Sequence, residues 1–375
     1  MGERVAEIFE PAPGERLAPA AACLDNRPAT ALVFMGMNAA APGTCRRRRP
    51  RRRLRRSIMP CPGRRKFLRT TTLAGAGLLI APPLHLPRFA FAQPDTGPLA
   101  IAVARWNPAA LVSADLAAVA ARLTEAAIAD LGGMGRFVSK GDVVWVKPNI
   151  GWNRRPELAA TTNPDVVGTL VRLCFAAGAK TVKVGDNPCH PARQAYSTSG
   201  IAAAAEAQGA QIVYLDEKRY REVDLGGERL KSWPVYAEIL EADLVINVPI
   251  VKHHGLSDLT LALKNYMGVI GGQRGAWHQH LDECLADITA FMRPRLCVLD
   301  AVRVLTAHGP QGGNPEDVKL LGAVAAGTDI VGLDALGATL MGRDPAAMST
   351  LKLAAARGLG TLDFRSLPLA ERTLS

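Results

Sequence analysis

Short apolar runs alternate with longer helical stretches from residue 99 onward, and no other feature of the chain restricts its fold as much. That alternation marks a mostly parallel sheet whose crossover helices cover its faces. Residues 99–104, 142–146, 181–184, 211–215, 243–248 and 296–299 read as strands, with 318–325 as a further one. Helices are expected from Ser113 to about Leu131, from Asn163-Pro164 to Gly178, and over 200–208, 258–269, 282–292 and 330–341, with another after Pro345. Ser113 and Asn163 are N-capping types, Pro164 suits a first helical turn, and Gly132 and Gly178 suit C-terminal stops. Around Gly226-Gly227 the texture becomes alternately polar and apolar, which predicts a hairpin within 220–233. The expected fold class is α/β: a largely parallel, doubly wound sheet with helices on both faces and a small hairpin insertion.

Ahead of this region, Gly63-Arg64-Arg65-Lys66-Phe67-Leu68-Arg69 matches the twin-arginine (Tat) pattern for exporting folded proteins. The apolar run over 70–81 is too short to span a bilayer. Pro82-Pro83 ends it, and Ala90-Phe91-Ala92 offers a small-residue cut before Gln93. Residues 59–92 therefore read as a signal peptide and 93–375 as a single α/β domain. Residues 1–58, rich in Ala, Pro and Arg, are either a disordered basic arm or sequence upstream of a start at Met59; the second is the expectation. These features predict a periplasmic or otherwise exported protein. It would meet the Tat translocon during export and keep no stable membrane anchor after cleavage.

The net charge of +11 suggests a polyanion partner only until it is divided. Residues 1–92 hold 17 basic and 5 acidic side chains, leaving 28 basic and 29 acidic ones in the remainder. The mature part is close to neutral, so no nucleic-acid partner is expected. Four of the seven cysteines fall there, Cys174, Cys189, Cys284 and Cys297, without C-x-x-C spacing. An iron–sulfur cluster or zinc ribbon is not expected.

Chemistry-bearing residues gather where apolar runs end. Lys147-Pro148-Asn149 follows one run, Asp186 another, Lys252-His253-His254 a third, and Asp300 a fourth. Open parallel sheets bind ligands beyond the carboxyl ends of their strands, so these side chains are expected on one rim. Thr260 and Lys264, four apart, would share a face of the helix expected at 258–269. Its N-terminal N–H groups, with Lys252 and Lys264, would suit an anion. His254, His278 and Asp300 are candidate ligands for a divalent metal, one histidine from each of the pairs 253/254 and 278/280. Cys189-His190 is a weaker candidate set. The glycine-rich stretch His308-Gly309-Pro310-Gln311-Gly312-Gly313 lacks a phosphate-loop Lys-Ser/Thr and reads as a covering loop. No G-x-S-x-G elbow is present.

In order along the chain stand Val146-Lys147-Pro148-Asn149, Pro249-x-x-Lys252-x-His254, Thr260-x-x-x-Lys264-Asn265-x-x-Gly268, Arg274-x-x-x-His278, Asp300, Gly309-Pro310-x-Gly312 and Asp329-x-x-x-x-Asp334. This ordered set resembles the bacterial and archaeal domain-of-unknown-function family 362, over roughly residues 100–345. The resemblance implies export, since many relatives carry twin-arginine signals. Some relatives carry a ferredoxin-like module with clustered cysteines; that property does not transfer to a chain without the cluster. Where relatives often have Asp-Gly-Ile, this chain has Asp300-Ala301-Val302.

Together these readings predict a crevice for a small anionic ligand, assisted by a divalent metal. Lys147, Lys252 and Lys264 would hold carboxylate or phosphate, and Asn149 and Asn265 would orient it. His254, Lys264 and Asp300 are the candidate catalytic groups, and Asp186 and Asp334 would orient neighbours. Metal-assisted hydrolysis and proton abstraction beside a carboxylate both fit. The alternative is a non-catalytic accessory or binding protein of a periplasmic redox system.

Overall fold

Apolar β-branched runs bounded by Lys, Asp and Pro form the centre of a sheet. The computed structural model describes residues 100–111 and 114–375. The expected signal peptide, the extension before it and the Ser113 cap lie outside the described residues. In chain order the strands are β1 (Ile101–Trp106), β2 (Val143–Pro148), β3 (Thr181–Val184), β4 (Gln211–Ile212), β5 (Tyr220–Asp224), β6 (Ser232–Tyr236), β7 (Leu244–Val248), β8 (Ile250–His254), β9 (Asp258–Thr260), β10 (Leu296–Leu305), β11 (Val318–Gly327) and β12 (Leu369–Leu374). The helices are α1 (Pro108–Leu111), α2 (Leu116–Asp130), α3 (Pro164–Ala176), α4 (Ala192–Thr198), α5 (Ile201–Ala207), α6 (Ala237–Leu240), α7 (Ala262–Asn265), α8 (Leu281–Met292), α9 (Ile330–Leu340) and α10 (Ser349–Ala356).

Ten strands join one sheet in the order β12-β1-β11-β10-β7-β2-β3-β4, with β8 pairing β10 and β9. The stretch β10-β7-β2-β3-β4 is parallel throughout, and β11 runs antiparallel to both β1 and β10. Strands β5 and β6 form the separate hairpin expected around Gly226-Gly227. The fold is thus α/β with a mixed, mostly parallel sheet.

Alternation along each strand feeds two cores. Ala102, Val144, Val146, Val182, Ile246 and Val298 pack under α2, α3 and α5. Ile101, Val103, Trp145, Val251 and Leu299 face the opposite layer, built from α6 to α10. Helix α3 opens as expected, with the Asn163 side chain accepting the Asp165 N–H and Pro164 in its first turn. Helix α2 is capped by Asp115, whose carboxylate accepts the Ala117 N–H.

Three sequence expectations are corrected. Lys252, His253 and His254 lie in a strand rather than a turn: Pro249 ends β7, and β8 resumes pairing along the upper half of β10. The helix expected at 258–269 is a strand, β9, followed by the four-residue α7. Asp300 does not end its strand; β10 continues to Leu305, paired with β11. Among the described residues no helix is long and apolar enough to cross a membrane.

Candidate functional site

Where β2 leaves the sheet, Lys147 turns inward and is 1% exposed. Its ammonium stands 2.7 Å from Asp186 Oδ1 and donates to Asn265 Oδ1 at 2.9 Å and to the Pro148 carbonyl at 3.0 Å. All three donors are thereby used. Asp186, just beyond β3, accepts the Ile150 N–H on its other oxygen at 2.6 Å. Burial pulls the Lys147 pKa below the usual lysine value, and the Asp186 charge opposes that pull. Gly268 lies against this pair: a Cβ there would stand 1.7 Å from Asp186 Oδ1 and 2.6 Å from Lys147 Nζ.

Asn265 ties this pair to the rest of the rim. Its Oδ1 also accepts from Asn149 Nδ2, and its Nδ2 donates to the Lys147 carbonyl and to Asn247 Oδ1. Asn149 Oδ1 accepts in turn from Lys252 Nζ at 3.1 Å, and the Ala160 carbonyl takes a second Lys252 bond at 2.5 Å. Lys252 is 1% exposed, and among the described residues no carboxylate lies within ion-pairing distance of it. Burial, with Lys264 and Lys147 adding like charge, brings its pKa down to about 7.

Lys264 is 9% exposed and also lacks a carboxylate partner among the described residues. Its Nζ approaches Met267 Sδ at 3.3 Å and His278 Nε2 at 3.4 Å. Burial, with Arg274 adding like charge, lowers its pKa to about 8. His278 Nδ1 lies 3.1 Å from the Gly275 carbonyl, so the proton is assigned to Nδ1 and Nε2 offers its lone pair to Lys264. His254 stacks on His278, ring centroids 5.8 Å apart. Its Nδ1 accepts the Leu256 N–H, so the neutral ring carries its proton on Nε2. Burial first, then the two lysines, push the His254 pKa down to about 3, so the ring is neutral at physiological pH.

The rim thus holds Lys147, Asn149, Asp186, Lys252 and Asn265 in one hydrogen-bonded chain, with Lys264 against His278 and His278 stacked on His254. The expected metal set of His254, His278 and Asp300 is not assembled. Asp300 is fully buried, and its oxygens accept the N–H groups of Asn163 and Val302. His254 gives its Nδ1 lone pair to the Leu256 N–H, which leaves the proton on Nε2 and no free lone pair for a metal. Among the described residues no group of three His, Cys, Asp or Glu could hold a metal ion. The helix N-terminus expected to receive an anion is corrected too. Asp334 accepts the Ala262 and Leu263 N–H groups at the start of α7, so that end is already satisfied. Burial raises the pKa of Asp334 to about 7 and that of Asp300 to about 6. The loop at 308–313 lies against His253, which alternation turns away from Lys252 and His254.

Two groups at the rim had been given no role from the sequence. Asn247 interrupts the apolar run Leu244-Val245-Ile246-Asn247-Val248, and a fully buried Asn inside such a strand is itself a signal. Arg274 donates from Nη1 to the carbonyls of Asn187 and Met267 and from Nη2 to that of Pro188, and Nη2 also comes 3.5 Å from Cys189 Sγ. A cleft of about 550 Å³ meets this cluster only at His278. Asp258, Asp282, Glu283 and Asp344 line it, a charge unsuited to an anion, so the cationic rim and the cleft are distinct surfaces.

The family described as "Domain of unknown function (DUF362)" matches residues 144–339, the segment that carries the rim residues named above. A protein described as thylakoid-associated protein sll1697, from Synechocystis sp. (strain PCC 6803), is 32% identical over 231 residues. That match spans 59% of this chain and 70% of the relative. Among solved structures, the lactate racemase apoprotein from Thermoanaerobacterium thermosaccharolyticum is a distant likeness, at a TM-score of 0.37 and 11% identity. The overlap covers 64% of this chain and 56% of that one.

Proposed function

The chain belongs to the DUF362 family, and we propose that it binds a small anionic ligand, a carboxylate or phosphate, on the rim built from Lys252, Lys264, Asn149 and His254. One observation carries this reading. Two ammonium groups, 1% and 9% exposed, lie without a carboxylate beside them among the described residues. Burying unpaired charge is costly, and a bound anion offsets that cost. The His254 Nε2–H supplies a neutral donor at the same place.

Oxalate is the probe of choice, because it stays fully ionised over the range in which the lysines titrate. At about a hundred times its Kd, oxalate stabilises the fold by about 2.7 kcal/mol, visible as a rise in Tm. Lys264→Ala is expected to abolish oxalate binding in calorimetry while leaving the ligand-free Tm nearly unchanged. A large loss of stability with unchanged binding would instead make Lys264 a packing residue.

The pH dependence has a definite sign. Lys252 and Lys264 lose their protons above about 7 and about 8, and an anion prefers the protonated forms. Oxalate affinity should therefore fall by roughly tenfold or more between about pH 6.5 and about pH 9. An affinity that is flat or rises over that range removes both lysines from the binding site.

Export by the twin-arginine route is the second part of the proposal, resting on the motif at Arg64-Arg65. Replacing both with lysine should leave the protein in the cytoplasmic fraction. Unchanged export of that variant would rule the route out.

A further inference from the structure

We propose that the side-chain hydroxyl of Thr260 is a further ligand-binding group of the rim, donating a hydrogen bond to the bound anion. The inference rests on the anion-binding reading above and adds to it a neutral donor from a different strand.

Thr260 closes β9, the short strand that pairs with β8. The pairing is antiparallel, with Lys252 opposite Thr260 and His254 opposite Asp258. Residues directly opposite in such a ladder share a face, their Cβ atoms about 4.5–5.5 Å apart. Alternate residues of one strand share a face as well, so Lys252, His254 and Thr260 lie on one side of this arm. The packing agrees with that alternation, since Val251 and Leu259 join the core on the other side. From Thr260 the chain passes through Leu261 into α7, which carries Lys264 and Asn265. The segment that bears Thr260 is thus tied to Lys252 twice, by the ladder and through Asn265 and Asn149. Asp258, the arm's one carboxylate, is engaged by Arg343 at 3.1 Å.

The hydroxyl supplies the independent observation. Thr260 is 3% exposed, and its Oγ1 has no hydrogen-bond partner among the described residues. Buried threonine hydroxyls ordinarily bond a nearby carbonyl, as Thr124 bonds that of Ala120 and Thr162 that of Val248. Leaving such a group unmade costs stability, and a bound acceptor offsets that cost. Lys252 and the His254 Nε2–H on the same face are donors, so an anion held there brings its oxygens to this hydroxyl.

Thr260→Val keeps the side-chain shape and removes the hydroxyl. Calorimetry of oxalate binding to the full chain should show an affinity lower by about tenfold or more. The ligand-free Tm should stay level or rise, because the hydroxyl had no protein partner to lose. Affinity in the variant should fall with pH in parallel with the natural chain, since a threonine hydroxyl does not titrate in this range. Thr260→Ser restores the hydroxyl and should recover most of the affinity. Thr289→Val is the comparison, a hydroxyl equally buried and equally unpartnered among the described residues, but on α8. It should bind oxalate as the natural chain does. Unchanged affinity in Thr260→Val would overturn the assignment and leave the anion site standing. So would a ligand-free Tm lowered by more than about 5 °C, or an equal loss of affinity in Thr289→Val. Failure of the natural chain to bind oxalate would overturn both readings.

Discussion

Asp186→Ala is expected to lower the melting temperature by roughly 10 °C, because it strands a buried ammonium. Lys147 is 1% exposed, and Asp186 is its one carboxylate partner among the described residues, at 2.7 Å. Removing one member of such a pair costs about 3–5 kcal/mol, and each kcal/mol shifts Tm by about 2–4 °C at this chain length. The Ile150 N–H loses its acceptor in the same substitution. Asp186→Asn keeps an acceptor there, so the loss should be smaller. Adding Lys147→Met to Asp186→Asn should recover much of the stability, since the orphaned charge is then gone. Thermal unfolding followed by circular dichroism reads all three variants. A single variant that melts within about 2 °C of the natural chain would show that this pair carries little of the stability.

Gly268→Ala is the second large effect, and its cause is space rather than charge. The added methyl would fall 1.7 Å from Asp186 Oδ1 and 2.6 Å from Lys147 Nζ, closer than any contact can be. Neither atom has room to yield, since Ile150 holds the carboxylate and Asn265 with the Pro148 carbonyl holds the ammonium. The backbone at 268 is itself fixed, its carbonyl accepting the Asn187 N–H at 2.9 Å. Overpacking of this kind costs about 1–3 kcal/mol where neighbours can adjust, and more is expected here. The variant should lose oxalate binding and melt several degrees lower. Gly275→Ala provides the comparison, because nothing lies within 4 Å of a Cβ at that position. Equal behaviour of the two variants would mean that the approach of Gly268 to the ion pair is dispensable.

Much of the architecture is legible in the chain because buried parallel strands are written as short runs rich in Val, Ile and Leu. Residues 142–146, 181–184 and 243–248 announce β2, β3 and β7 on that basis. The same rule misled at Asp300. The apolar run stops there, but β10 continues through Arg303 because β11 offers a long antiparallel partner. Leu259 and Leu263 are spaced as on a helix, yet β9 forms because β8 lies beside it to be paired. β12 was missed outright: Leu-Ala-Glu-Arg-Thr-Leu is too polar to read as a strand, and it forms half-exposed at the sheet edge.

At the site, residue types at strand ends pointed to Lys147, Asn149, Asp186 and Lys252, because position relative to the sheet follows from the strand pattern. Partner choice did not follow from it. Whether a buried lysine meets a carboxylate, as Lys147 does, or none, as Lys252 and Lys264, depends on which other segments the fold brings beside it. The metal set failed because its atoms were already in use. Backbone N–H groups had already claimed the oxygens of Asp300 and the Nδ1 of His254, and no residue-type pattern encodes that.

Strand β1 is held between β11 and β12, both made more than two hundred residues later in the chain. On the ribosome, Ile101–Trp106 therefore emerges with neither neighbour available and stays apolar and unpaired for most of synthesis. Such a nascent chain is a natural client for a holding chaperone, and that edge of the sheet closes only after translation has passed residue 374.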